Sequence, residues 1–138
     1  MILLDAYALI AFLIGGPAAG EVRGLLRSGE AGVATANLAE ALDVSARVHG
    51  LPIARATDVL DPLFETSLPA VDLDRDTARR SADVRARHYH RRSRAISLAD
   101  AILIASAGPG DRIATADAAL LAVAEAEGGT TIRLPSES

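Results

Sequence analysis

The chain has 138 residues, half of them hydrophobic but only 3% aromatic, and a formal net charge of −4. That length implies one domain, residues 1–138, with a core of Ala, Leu, Val and Ile. There is no cysteine, which excludes disulfides and thiolate metal sites, and no lysine, since all 14 basic side chains are arginine.

In chain order, MILLD reads as a short buried strand, followed by a helix over Ala6–Ile14 that the pair Gly15-Gly16 ends. Pro17 suits the start of a second helix, to Ser28, and 32–35 a second strand. Helices follow at Ala36–His49, closed by Gly50, and at Pro52–Glu65, with a bend expected near Pro62. A third strand over 70–73 leads into a long helix from Arg75 to Arg92. A helix over 98–107 ends in GPG. It is followed by strand Arg112–Thr115, a helix over 117–127, a Gly-Gly stop and a last strand over 130–134. Strands alternating with helices of this length give the α/β class: a short central parallel sheet of about four to five strands, flanked by helices in a three-layer, Rossmann-like arrangement. The tail, residues 135–138, is expected to fray. The longest apolar run, Ala6 to Ile14, falls far short of the ~20 residues that span a bilayer, so no membrane association and a cytoplasmic location are expected.

Four carboxylates stand where a strand hands over to a helix or one turn into that helix: Asp5, Glu40, Asp100 and Asp117. In a parallel sheet these junctions lie along one edge, so distant acids can converge there. Each also has an ordinary explanation. Asp5 suits an N-cap, Asn37-x-x-Glu40 and Ser97-x-x-Asp100 resemble capping boxes, and Asp117 follows Thr115 in a first helical turn. The set is harder to dismiss. Asp100 shares its helix face with Leu103, Ile104 and Ala107, and Asp117 shares its face with Leu120 and Leu121. Asp5 ends four consecutive apolar residues. Glu40 has the weakest pattern, since Arg47 on the same face is a possible partner. Two like charges ~4 Å apart repel by about 4 kcal/mol at an effective dielectric near 20, so a converged quartet would take up protons or a hard cation. Mg²⁺ or Mn²⁺ at an all-oxygen site suits phosphate chemistry, with one ion or two.

An Asp ending the first strand, a Glu in the helix after the second, the run Ile96-Ser97-Leu98-Ala99-Asp100 and the T-x-D of Thr115-Ala116-Asp117 resemble the PIN-domain ribonucleases. Within that family the likeness is to the VapC-type toxins of toxin–antitoxin systems, over essentially the whole chain. The resemblance implies Mg²⁺- or Mn²⁺-dependent endonucleolytic cleavage of RNA by Asp5, Glu40, Asp100 and Asp117, with Thr115 supporting the site. It also implies a homodimer and a small antitoxin as partner. Every acid of the pattern is present.

Eight arginines lie between Arg75 and Arg94. Asp76→Arg80 and Asp83→Arg87 are i,i+4 pairs, which mark a solvated face. Arg91, Arg92 and Arg94 lack such acids and precede the helix of Asp100. They are candidate RNA phosphate contacts, or cations favouring a helix C-terminus. His88 and His90 lie on different helix faces, and Tyr89 is expected to pack on Ala82 and Ala78. Receiver-type phosphoacceptors and haloacid-dehalogenase-like phosphatases rely on a lysine that this chain lacks, and Asp5-Ala6-Tyr7 is not D-x-D. Neither G-x-G-x-x-G nor a P-loop motif occurs. The competing reading is a non-catalytic interaction module whose acids only cap helices.

Overall fold

A computed structural model describes residues 1–136 of the chain. Its strands are β1 (Ile2–Leu4), β2 (Ala31–Ala34), β3 (Ala70–Val71), β4 (Arg112–Thr115) and β5 (Thr130–Arg133). Its helices are α1 (Ala6–Ile14), α2 (Ala19–Ser28), α3 (Thr35–Arg47), α4 (Ile53–Thr66), α5 (Arg75–His88), α6 (Leu98–Ser106) and α7 (Ala118–Ala126). The strands form one parallel sheet in the order β3-β2-β1-β4-β5.

Side chains alternate across this sheet and create two cores. Ile2, Leu4, Ala31, Val33 and Ala114 face one core with Leu9, Val22, Ala41 and Leu60 from α1 to α4. Leu3 and Ile113 face the other, with Val84 of α5, Leu103 of α6 and Leu120 of α7. β1 lies between both layers and is buried along its whole length, which is why it reads as an unbroken apolar run. The three-layer α/β architecture read from the sequence is the one observed.

Local chemistry sets most helix limits. Asp5 caps α1 and Gly15, at φ 89°, ends it, while Gly29 in the left-handed region ends α2. α4 passes through Pro62 to Thr66. α1 and α2 meet at 105°, and among the described residues no single helix is long and apolar enough to cross a membrane.

Three expectations need correction. α5 stops at His88 rather than Arg92, and Tyr89 is extended. Ile96 is buried in the second core, and Arg85 Nε donates to its carbonyl at 3.2 Å. In an unbroken helix those two residues would lie about 16 Å apart along the axis, so burying Ile96 forces the chain to turn back. α3 begins at Thr35, which places Asn37 inside its first turn and not at the cap. β3 has only two residues. The chain is tied down at Pro135, whose carbonyl accepts the Tyr7 hydroxyl at 2.6 Å. Residues 137 and 138 of the expected fraying tail lie outside the described residues.

Candidate metal centre

The chain builds outward from β1 through β2 to β3, then returns to place β4 on the other side of β1. The crevice beyond the carboxyl ends of β1 and β4 is therefore the switch point of a doubly wound sheet, the usual ligand position in such folds. Asp5 follows β1 into this crevice, and Thr115 and Asp117 arrive there from β4.

Asp5 is only 5% exposed. Its Oδ1 accepts from the Ala8 amide at 2.9 Å and its Oδ2 from the Thr115 hydroxyl at 2.5 Å. Thr115 is fully buried, and its oxygen also accepts the Asp117 amide at 3.0 Å. One hydroxyl thus ties the end of β1 to the start of α7. Asp117, exposed at the mouth, caps α7 by accepting from the amides of Ala119 and Leu120 at 2.8 and 3.2 Å. Asp100, half-buried, forms a capping box: Ser97 Oγ accepts its amide at 3.0 Å and its Oδ2 accepts the Ser97 amide at 3.2 Å.

Capping therefore accounts for some bonds of three acids. It does not account for Glu40, which is half-buried one turn beyond the α3 start and makes no hydrogen bond or ion pair among the described residues. Arg47, its expected partner, instead binds Asp43 through Nε at 3.2 Å and Nη2 at 3.1 Å.

The electrostatics connect all four. Burial pushes the Asp5 carboxyl up to about 6, and the charges of Asp100 and Asp117 add to this, while the Thr115 and Ala8 bonds oppose it. Burial also raises Asp100, with a contribution from Asp117, against the Ser97 amide bond. Glu40 is raised by burial, then by Asp100 and Asp43. Asp100 is the hub, since it acts on or feels each of the other three.

Convergence stops short of a closed cage: among the described residues, no three carboxylate or imidazole side chains are gathered to hold one metal ion. The donor set fits a hard cation that keeps several waters and takes one or two carboxylates directly, the habit of Mg²⁺.

Two features escaped the sequence reading. Asn37 is fully buried one turn before Glu40, and its Nδ2 reaches the Ala99 carbonyl at 3.5 Å, linking α3 to the start of α6. Its Oδ1 has no partner among the described residues. An Asn ahead of a helical pattern reads as a cap, and nothing in the local sequence signals its burial. The second is the segment after α5. There Arg91, Arg92 and Arg94 lie exposed on a turn beyond the end of α5.

Residues 2–110 match the PIN domain family. The chain belongs to that family. The matched span of this PIN domain takes in Asp5, Glu40 and Asp100 and ends before Thr115 and Asp117. Its fold resembles VapC20 of Mycobacterium tuberculosis, a sarcin–ricin-loop-cleaving toxin, with a TM-score of 0.61, 20% identity, and 76% of this chain and 79% of that one covered. It also resembles FitAcB of Neisseria gonorrhoeae, with a TM-score of 0.62, 22% identity, and 96% and 97% covered. For VapBC2 of Rickettsia felis, bound to a promoter DNA fragment, the TM-score is 0.67 at 12% identity, with 98% and 100% covered. No curated protein sequence matches the chain.

Proposed function

We propose that this PIN domain is a metal-dependent endoribonuclease acting as the toxin of a toxin–antitoxin pair. What supports the reading is the pair Asp5 and Asp117 at the switch point, with Asp100 electrostatically joined to both of them and to Glu40. Capping explains neither Glu40, which has no partner among the described residues, nor the cost of burying Asp5. When bound, Mg²⁺ or Mn²⁺ supplies neutralisation of phosphodiester charge and activation of water. Asp5, buried, and Asp100, half-buried, would hold the ion. Asp117, exposed, and Glu40, half-buried, would orient the attacking water or accept its proton. Thr115 holds Asp5 and the Asp117 backbone in register. The products are those of hydrolysis of one RNA phosphodiester bond.

VapC20, of like fold, cleaves the sarcin–ricin loop, which favours RNA as the substrate class here. A small cognate antitoxin and a homodimer belong to the same reading. The rival reading, a binding module, draws on the real capping bonds of Asp5, Asp100 and Asp117.

Induced expression of wild type, Asp5→Asn and Asp100→Asn, with mapping of new RNA ends, separates the two. New ends only with wild type, together with purified activity lost in chelator, support the nuclease. Activity that persists in excess chelator overturns the metal mechanism. Identical RNA ends from all three proteins return the acids to capping alone.

A further inference from the structure

An acidic pocket repels the polyanion it is meant to cut, so substrate must be held by cations beside it. Most arginines of α5 are already occupied. Arg79 and Arg80 bind Asp76, Arg80 also binds the Ala105 carbonyl, and Arg87 binds Glu127 together with His88. Arg91, Arg92 and Arg94 are exposed, and their guanidinium groups have no partner among the described residues.

These three sit on a turn fastened at three levels. At its base, the Arg85 guanidinium lies 4.5 Å from the Tyr89 ring centroid while its Nε donates to the Ile96 carbonyl at 3.2 Å. At its waist, His90 and Arg94 exchange two backbone hydrogen bonds of 3.0 and 2.9 Å. At its tip, His90 Nδ1 accepts the amides of Arg92 and Ser93, both at 3.3 Å. The imidazole nitrogen does here what an Asn or Asp oxygen does in an Asx turn. The turn then runs directly to Ser97, the cap of the helix that carries Asp100. Arg94 is three residues from Ser97, a span of at most about 11 Å between their Cα atoms.

We propose that residues 89–96 form a preorganised phosphate grip. Arg91, Arg92 and Arg94 hold the backbone of a single-stranded RNA beside Asp100, and His90 and Arg85 are positioning residues that keep the turn closed. The identity of the ligand rests on the nuclease reading, whereas the turn and its unpaired charges do not. A fastened turn has less freedom to lose on binding than a loose arginine tail, which is why His90 matters although it carries no phosphate contact of its own.

The test is equilibrium binding of a labelled oligouridylate to full-length Asp5→Asn protein in chelator, across a salt series. Replacing Arg91, Arg92 and Arg94 together by Ala should flatten the plot of log affinity against log salt by about 2, for three phosphates on a single strand. His90→Ala should weaken binding with most of that slope retained, because the charges remain. His90→Asn should restore affinity, because an amide oxygen can accept the same two amides. In multiple-turnover cleavage by otherwise wild-type protein, the triple change should raise KM more than it lowers kcat. Thermal melts of each variant confirm that it is folded.

An unchanged slope overturns the grip, as does His90→Ala binding that matches its parent. Equal losses on duplex DNA overturn its assignment to a single RNA strand. RNA cleavage by wild type with an unchanged slope removes the grip and leaves the nuclease. A flattened slope with no cleavage by wild type removes the nuclease and leaves an RNA-binding turn.

Discussion

Asp5 carries the largest electrostatic cost in the site, and that cost has a definite pH signature. In an unfolded chain an aspartate loses its proton near pH ~4. In the fold, burial and the neighbouring acids hold the Asp5 proton up to about 6. Between those values the folded state binds more protons than the unfolded state, so this residue makes stability fall as pH rises through the window. Above it, the ionised carboxylate costs about 3 kcal/mol in metal-free protein. Asp100 and Glu40 are raised too and act in the same direction, so the Asp5 share is the difference between wild type and Asp5→Asn. Asn remains a good N-cap for α1. Urea unfolding in chelator should therefore show wild type losing stability from pH ~4 to ~6.5 while Asp5→Asn declines much less. Parallel profiles for the two proteins would mean that Asp5 ionises in the fold as it does in water.

At the scale of elements, the legible parts are those whose limits are written in short-range chemistry. The bounds of α1 follow from the Asp5 cap and the glycine pair, and Ser97-x-x-Asp100 forms the capping box its spacing implies. The illegible parts are decided by distant residues. No breaker precedes Arg92, so the end of α5 is invisible until Ile96 is known to be buried. Arg87 pairs with Glu127 and not with Asp83, and Tyr89 is 44% exposed under Arg85 instead of packed on its own helix, because partners from elsewhere compete with i,i+4 neighbours. The same contrast holds in the site. Three acids carry local bonds that the sequence foretells, whereas Glu40 meets Asp100 only through the packing of α3 on α6. The capping box gives a direct test at this scale. Ser97→Ala should cost about 1 kcal/mol in urea unfolding, and Ser97→Thr should recover most of it. Asp100 also loses one side of its box in the Ala variant. RNA cleavage well below the melting temperature should therefore fall with Ala and return with Thr.

For the whole molecule, the doubly covered sheet makes one strand responsible for two cores and for the site at its end. β1 contributes Ile2 and Leu4 to one face and Leu3 to the other, then delivers Asp5 to the crevice. Asp5 thus takes its position from packing on both sides, and neither face should unfold without disturbing the other. Leu9, on α1, and Leu103, on α6, are fully buried in opposite cores and test this claim. Leu9→Ala and Leu103→Ala should each cost about 2–5 kcal/mol, the range for a large side chain removed from a close-packed interior. Against a total of about 5–15 kcal/mol, either change is severe but survivable. The decisive readout is the shape of the transition. Calorimetry should give one peak for each variant, with van't Hoff and calorimetric enthalpies equal, because β1 couples the layers. A second peak in either variant would mean that the faces melt as separate units, and Asp5 would then be held from one side only.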